Sequence, residues 1–461
     1  MMKKRLLASL AICALAAGSM VVVTTTATAA TRTVTVWQPQ SGGTLDAWQA
    51  AMDRIEKANP GLTIKSVGSV DMAKSLAAIN SGTGPDISLS NGAGNLGWFC
   101  GSGAWLSLNK AISSSKGLKL SSVFTPPAIN YSTSGSNRCA LPVSGGTEVT
   151  TFYYNKDLLA KAGFKNAPKT TSELMAYSKK LTTFNSDGSI KSAGFIPWAG
   201  YASNDMDAMW LGWMFGTSWF NSQGQPAFSS DSKWARAFTW QKNFIAQVYG
   251  GGDYKKGAAA VTKFAAGAGD FWGGDNDFIK GRVAMMTSMD WMSQMFCDLD
   301  WVLNPCNKPV VNFGIAALPM DDRLANRYGS APVGGALMGI SKGTKNFADA
   351  WLVMKSLATD PQLGIELSNM TGSIPTQVAL QNSSKITFPA FYDNVYAITK
   401  NQYSGWHALR NTGAHREETE LNNFMAAWQA GQVSNLKDGL DGVTRTVSDI
   451  LANNYSAGSQ G

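Results

Sequence analysis

Strand-like and helix-like hydrophobic periods alternate along the first ninety residues, and this alternation restricts the chain more than any other feature. Thr33-Val34-Thr35-Val36 has the two-residue period of a strand. Leu45, Trp48, Met52 and Ile55 then recur at helical spacing, and Asn59-Pro60-Gly61 stops the helix. Leu62 to Val67 returns to strand, Met72, Leu76 and Ile79 mark a second helix, and Ile87 and Leu89 open a third strand. Consecutive β-α-β units imply parallel strands joined by crossover helices. The pattern restarts after Pro142. Thr151-Phe152-Tyr153-Tyr154 reads as a strand, and Thr170-Thr171-Ser172-Glu173 is a capping box ahead of a helix carrying Leu174, Tyr177 and Leu181. Val283 to Thr287, Phe313 to Ala316 and Gly334 to Ile340 read as further strands, and the remainder as helices. With no repeat and no low-complexity linker, two α/β lobes fit best.

The N-terminus stands apart from this pattern. Met1-Met2-Lys3-Lys4-Arg5 is a basic start, an apolar stretch follows from Leu6 to about Val23, and Ala27-Thr28-Ala29 has the small-x-small form that signal peptidase reads. Residues 1–30 are therefore expected to be a signal peptide cut after Ala29 or Ala30, leaving an exported, soluble chain. A lipid anchor at Cys13 is the alternative. It is disfavoured because bulky Ile12 precedes the cysteine and the apolar run continues beyond it.

Composition excludes several classes. With 44% hydrophobic and 15% charged residues over 461 positions, the chain cannot be intrinsically disordered. Removing Lys3, Lys4 and Arg5, and no acid, takes the net charge from +8 to +5, without a dense basic cluster, so no nucleic-acid partner is expected. Two histidines leave little room for His-based catalysis or a metal site. Sixteen tryptophans exceed what core filling asks for and suggest aromatic platforms. After Cys13, four cysteines remain; an even number in an exported chain favours disulfides. Cys297 and Cys306 enclose a short loop, which pairs them locally and leaves Cys100 with Cys139. Zinc lacks support, because no CxxC spacing or nearby His is present.

Several segments, in order, resemble the extracellular solute-binding proteins of ABC sugar importers, the maltose-binding-protein-like family. They are Glu56-Lys57-Ala58-Asn59-Pro60-Gly61-Leu62, Gly82-Thr83-Gly84-Pro85-Asp86-Ile87, Leu141-Pro142 with Thr147-Glu148-Val149 and Phe152 to Leu158, Phe278 to Met285 leading to Met289-Asp290-Trp291, Gly314 to Pro319, and Gly334-Gly335 through Ile374-Pro375. Each is weak alone; their joint order is specific. The resemblance implies two doubly wound lobes joined by a three-crossing hinge, the type II architecture of periplasmic binding proteins. On this reading 31–143 and 288–333 form the N-terminal lobe, and 144–287 and 334–461 the C-terminal lobe. The crossings are expected near Leu141 to Gly146, Met286 to Asp290 and Pro332 to Gly335. The implied role is a monomeric receptor without cofactor or metal, which captures an oligosaccharide between its lobes and delivers it to the permease subunits of an ABC importer.

Carbohydrate recognition needs flat aromatic faces for C–H surfaces and planar polar groups for hydroxyls. Ligands of open parallel sheets sit beyond the carboxyl ends of the strands, which here are Trp37-Gln38 and Ser90-Asn91. Trp291 matches the family's stacking Trp, and Glu148 the acid of its crossover strand, with a hinge salt bridge as the rival role. Trp198, after Pro197, falls where the family has a cleft aromatic, and Asp290 adjoins Trp291. Gly335 belongs to the third crossing. Trp406 and Arg410 fall in the segment that closes the cleft in relatives, and Trp272 lies in an exposed loop context. Trp37 and Arg410 have structural alternatives, core packing and helix capping. Trp210, Trp213, Trp234, Trp240, Trp351 and Trp428 sit among apolar residues at helical spacing and are assigned to the core.

A secreted glycosidase is the competing reading. It requires two carboxylates across one bond, whereas Asp321-Asp322 and Glu417-Glu418 are adjacent pairs of the kind that face solvent. No G-x-S-x-G, P-loop or H-E-x-x-H motif is present. Asn185-Ser186-Asp187-Gly188 reads as a hairpin turn over a calcium loop. A peptide or polyamine ligand would call for an acidic cleft, and no such concentration of acids is seen. Catalysis is not expected.

Overall fold

The computed structural model describes residues 32–133, 137–204, 206–296, 309–387, 392–405 and 416–458. The signal segment, Cys13, Cys297, Cys306, Trp406 and Arg410 lie outside the described residues.

The strands are β1 (Arg32–Trp37), β2 (Leu62–Val67), β3 (Ile87–Ser90), β4 (Leu141–Asn155), β5 (Thr183–Phe184), β6 (Ile190–Ser192), β7 (Met285–Met289), β8 (Phe313–Ala316) and β9 (Val333–Ile340). β1 pairs in parallel with β2 and β3, as the β-α-β-α-β pattern requires. The main sheet runs β2-β1-β3-β9-β4-β7, with β8 also on β4. Every pairing of β9, β7 and β8 is antiparallel, so the sheet is mixed. β5 and β6 form the predicted hairpin, in which Asp187 Oδ1 accepts from the Ser189 N–H at 2.9 Å. The predicted capping box forms in shifted form. Thr170 accepts from the Glu173 N–H, while Glu173 reaches back to the Lys169 N–H at 2.7 Å.

The buried side chains sort into distinct cores. Val34, Val36, Trp48, Met52 and Ile55 pack with Leu337, Met338, Ile340, Met354 and Leu363. Trp210, Trp234 and Phe238 pack with Met285, Leu318 and Met425. Tyr153, Phe278, Phe296, Phe313 and Val395 form a third group beside β4. This corrects the expected partition. Residues 311–333 pack with the later segments, and 336–367 with the first ninety. The reason is strand direction. The end of β9 inserts between β3 and the start of β4, carrying the helices Phe347–Thr359 and Pro361–Thr371 onto the first core.

The three crossings follow from the same pairings. β4 crosses where its register slips between Pro142 and Thr147, and β9 crosses alongside it. The third crossing is not Met286 to Asp290, because β7 lies wholly against Thr150–Tyr154. It is the segment Ser373 to Thr376. There Thr147 and Ile374 exchange two backbone hydrogen bonds (3.1 and 3.0 Å), and the Thr376 N–H donates to Ser144 O at 3.0 Å.

Cys100 and Cys139 are bonded, with Cα atoms 5.8 Å apart and a sequence separation of 39. A cross-link of that span restricts the unfolded chain by on the order of 4 kcal/mol. Replacing both cysteines with serine should lower the denaturation midpoint accordingly. An unchanged midpoint would show that the bridge contributes no stability. Among the described residues no helix is long and apolar enough to cross a membrane.

Candidate functional site

A cleft of about 220 Å³ lies over the crossings, where both sets of cores present polar and aromatic side chains. One wall comes from the β1 side. Gln40 follows β1, Thr44 and Trp48 stand four residues apart on one face of the helix Gly42–Ala58, and Asn91 follows β3. Gln40 Nε2 donates to Asn91 Oδ1 at 2.9 Å, and Gln40 Oε1 is buried without a hydrogen-bond partner. Val143, Gly145, Gly146, Ala336 and Leu367 make the floor, and Thr371 and Ser373 lie at its edge.

The opposite wall is a pair of indoles. Trp272 and Trp291 are parallel, with ring centroids 5.3 Å apart and an interplanar angle of 7°. Phe271 meets both edge-on. Trp291 follows β7, and its backbone is fixed from behind. Asp290 Oδ1 accepts from the Val149 N–H at 3.1 Å, and the Tyr153 hydroxyl donates to the carbonyls of Met289 and Asp290. Trp272 is 52% exposed on its loop. That loop is tied down where Asn276 Nδ2 donates to Phe271 O and Asp277 Oδ1 accepts from the Gly269 N–H.

Glu148 is the only ionisable side chain among the described residues lining the cleft. Burial pushes its carboxyl up to about 8, and burial followed by the neighbouring Glu148 charge holds Asp290 well above the usual carboxylate range. Glu148 therefore holds its proton to higher pH than a free carboxyl, and in that form it both donates and accepts. The folded state holds this proton more tightly than the unfolded chain, whose reference value is 4.5. Its contribution is thus fully present below about pH 4.5 and is lost as the pH rises toward about 8, by at most about 1.4 kcal/mol per unit. In Glu148→Gln that part of the slope should disappear. Asp290 and Glu417, also raised by burial, keep a remainder. Denaturation curves from acid to mildly alkaline pH check this, and identical slopes in both proteins would contradict it.

Of the residues singled out from sequence, Asn91, Glu148, Trp272 and Trp291 meet in the cleft. Asp290 does not reach it. Its side chain is 0% exposed and supports the backbone beneath Trp291. Gln38 is buried at 1% exposure and donates from Nε2 to Ser66 Oγ, while Trp37 is half-buried beside Val67 and Ser88. The polar group that faces the cleft comes two residues later, at Gln40. Trp198 packs against the Trp210 core. Gly335 lies against Gly146 and Tyr131, a close approach between crossing strands. Gln40, Thr44, Trp48, Thr371 and Ser373 escaped the sequence reading. The polar, glycine-containing run Gln40-Ser41-Gly42-Gly43-Thr44 between strand and helix was the available signal for the first two.

Comparison with known proteins places the chain in a family and supports its fold. The profile of the bacterial extracellular solute-binding proteins matches residues 41–363. A relative from Brucella abortus (strain 2308), described no further than as a binding protein, is 25% identical over 242 residues, 52% of this chain and 50% of its own length. The chain thus spans about half the length of the curated relatives it matches. Among solved structures, CpMnBP1 with mannotriose bound has a TM-score of 0.73 at 24% identity, covering 90% of this chain and 100% of its own. The sugar-binding protein MalE of Xanthomonas citri has a TM-score of 0.69 at 16% identity, covering 93% and 100%. The GacH receptor of Streptomyces glaucescens GLA.O, solved unliganded and with acarbose, has a TM-score of 0.65 at 17% identity, covering 92% and 99%. At these identities the likeness is one of fold.

Proposed function

The chain belongs to the bacterial extracellular solute-binding proteins, and from that premise we propose that its cleft captures a neutral oligosaccharide and passes it, chemically unaltered, to an ABC importer. The observation that carries this reading is the paired indole wall with amides, hydroxyls and a single carboxyl, raised by burial, among the described lining residues. Indole faces suit the C–H surface of a pyranose, while Gln40, Asn91 and Glu148 offer donors and acceptors to its hydroxyls. The unpartnered Gln40 Oε1 is an acceptor that a ligand hydroxyl would satisfy. No Lys, Arg or His lines the cleft among the described residues, so the site has nothing to neutralise an anionic ligand. Fold neighbours solved with mannotriose and with acarbose bound point to the same ligand class.

The three crossings supply the hinge. The cores of 32–143 with 336–371 form one half of the clamp, and those of 148–333 with 392–458 the other. Sugar held by both halves stabilises the closed form, and a preference of a few kcal/mol for that form is enough to shift the population. A signal peptide over residues 1–30 would export the chain, consistent with an extracellular family, and the closed monomer would then dock on the permease subunits. Glycan cleavage would need a second carboxyl across the scissile bond. Among the described residues the cleft lining has Glu148 alone.

A calorimetric titration with mannotriose, maltotriose and cello-oligosaccharides, followed by chromatography of the recovered sugar, tests the proposal. One of the panel should bind at about micromolar Kd, near −8 kcal/mol, and be recovered intact. Binding by none of them, or recovery of shortened sugar, would refute it.

A further inference from the structure

A second cavity, of about 370 Å³, lies between the end of the helix Ala208–Met214, the start of the helix Ser232–Tyr249 and Arg327. It shares no lining residue with the cleft. We propose that it is a binding site for a small ring-bearing carboxylate, held by Arg327 against the walls of Trp213, Trp219 and Phe220.

The walls are rigid. Trp219 meets Trp234 and Phe228 edge-on, each with centroids 5.7 Å away, and Trp213 Nε1 donates to Ser330 Oγ at 3.3 Å. Both indoles are almost buried, so the cavity offers their edges and the ring of half-buried Phe220. The two cations of the lining differ in how they are answered. Lys233 Nζ donates to Gly216 O at 2.6 Å and pairs with Asp231 at 3.2 Å. Arg327 has no carboxylate partner among the described residues. Its guanidinium lies over the Tyr403 ring at 5.0 Å, and its buried Nε has no acceptor. Gly216 makes room for that guanidinium. A Cβ there would come within 2.8 Å of the Arg327 Nη1 atom, on a backbone already at φ +63°. A planar fork of donors with no acceptor among the described residues, beside aromatic walls, complements a carboxylate attached to a ring. Both sugar acids and aromatic acids carry that chemistry.

The test uses the full chain and ligand-observed NMR titration with D-glucuronate and with benzoate, against D-glucose and benzyl alcohol as uncharged controls. At least one acid should bind and the matching uncharged control should not, and binding should weaken as salt is added. The Trp291→Ala variant should bind the acid as the parent does, whereas Arg327→Gln should lose about tenfold or more in affinity. Glucuronate alone binding would identify a sugar acid, benzoate alone an aromatic acid. Failure of both acids at about 10 mM, equal affinity in Arg327→Gln, or loss in Trp291→Ala would each overturn the assignment. Should Arg327→Gln not fold, Phe220→Ala at the rim replaces it. About fivefold weaker binding is then expected, and unchanged binding counts against the site.

Discussion

Replacing Trp291 by alanine should weaken oligosaccharide binding by a factor of about 30 to 10³, while the protein remains folded. The expectation rests on position. Trp291 contributes the inner ring of the indole pair and is aimed by three hydrogen bonds to the backbone at 289–290 and Val149. Buried aromatic anchors at the centre of an interface typically account for about 2–4 kcal/mol when truncated. Removing Trp291 also takes away the ring stacked on Trp272, so the indole wall is reduced to one platform. Folding should suffer less, because Trp291 packs only at the margin of the Tyr153 core. Calorimetry gives the affinity and circular dichroism the fold. Affinity within threefold of the parent would remove Trp291 from the site.

The second large effect concerns the hinge. Valine at Gly335 should destabilise the protein by roughly 4 kcal/mol or more, or prevent folding. A Cβ there would lie 2.0 Å from Gly146 O and 2.7 Å from the Tyr131 hydroxyl. The carbonyl has nowhere to go, since the neighbouring Thr147 is paired both with Gly335 and with Ile374. Glycine at this crossing therefore lets two strands approach, over and above any turn it makes. Gly343→Ala, where an added Cβ meets nothing within 4 Å, is the control and should change stability by less than about 0.5 kcal/mol. If urea denaturation finds Gly335→Val as stable as the parent, the crossing is looser than its contacts indicate.

Particular residues mark where sequence reading succeeded. Trp48, Met52 and Ile55 reveal a helix because a buried stripe repeats with the helical period, and the parallel pairing of β1 with β2 and β3 follows from the crossover rule. Trp291 and Glu148 stand at recognisable points of ordered motifs, and both reach the cleft. Elsewhere the same reasoning misplaced residues by small steps. Gln38 stands at the strand end, where a contact is expected, but the chain turns so that its side chain bonds Ser66, and Gln40 lines the cleft instead. Asp290 lies one residue from the platform yet points the other way, into a buried bond with Val149. Thr371 and Ser373 carry no local signal at all, since a polar residue after a helix is ordinary until a neighbouring strand makes it part of a wall.

Local periodicity and composition were enough to set the α/β class, the first parallel unit, the tryptophan-rich core and the Cys100–Cys139 bridge, because each depends on neighbours in sequence or on simple counting. Which half of the molecule receives residues 311–333 and 336–367, where the third crossing runs, and which polar groups share a cavity were decided only by the tertiary fold. Those outcomes depend on β9 pairing antiparallel with both β3 and β4. A strand's pattern of buried residues is the same whichever partner it finds and in whichever direction it runs, so nothing in the local sequence could specify them.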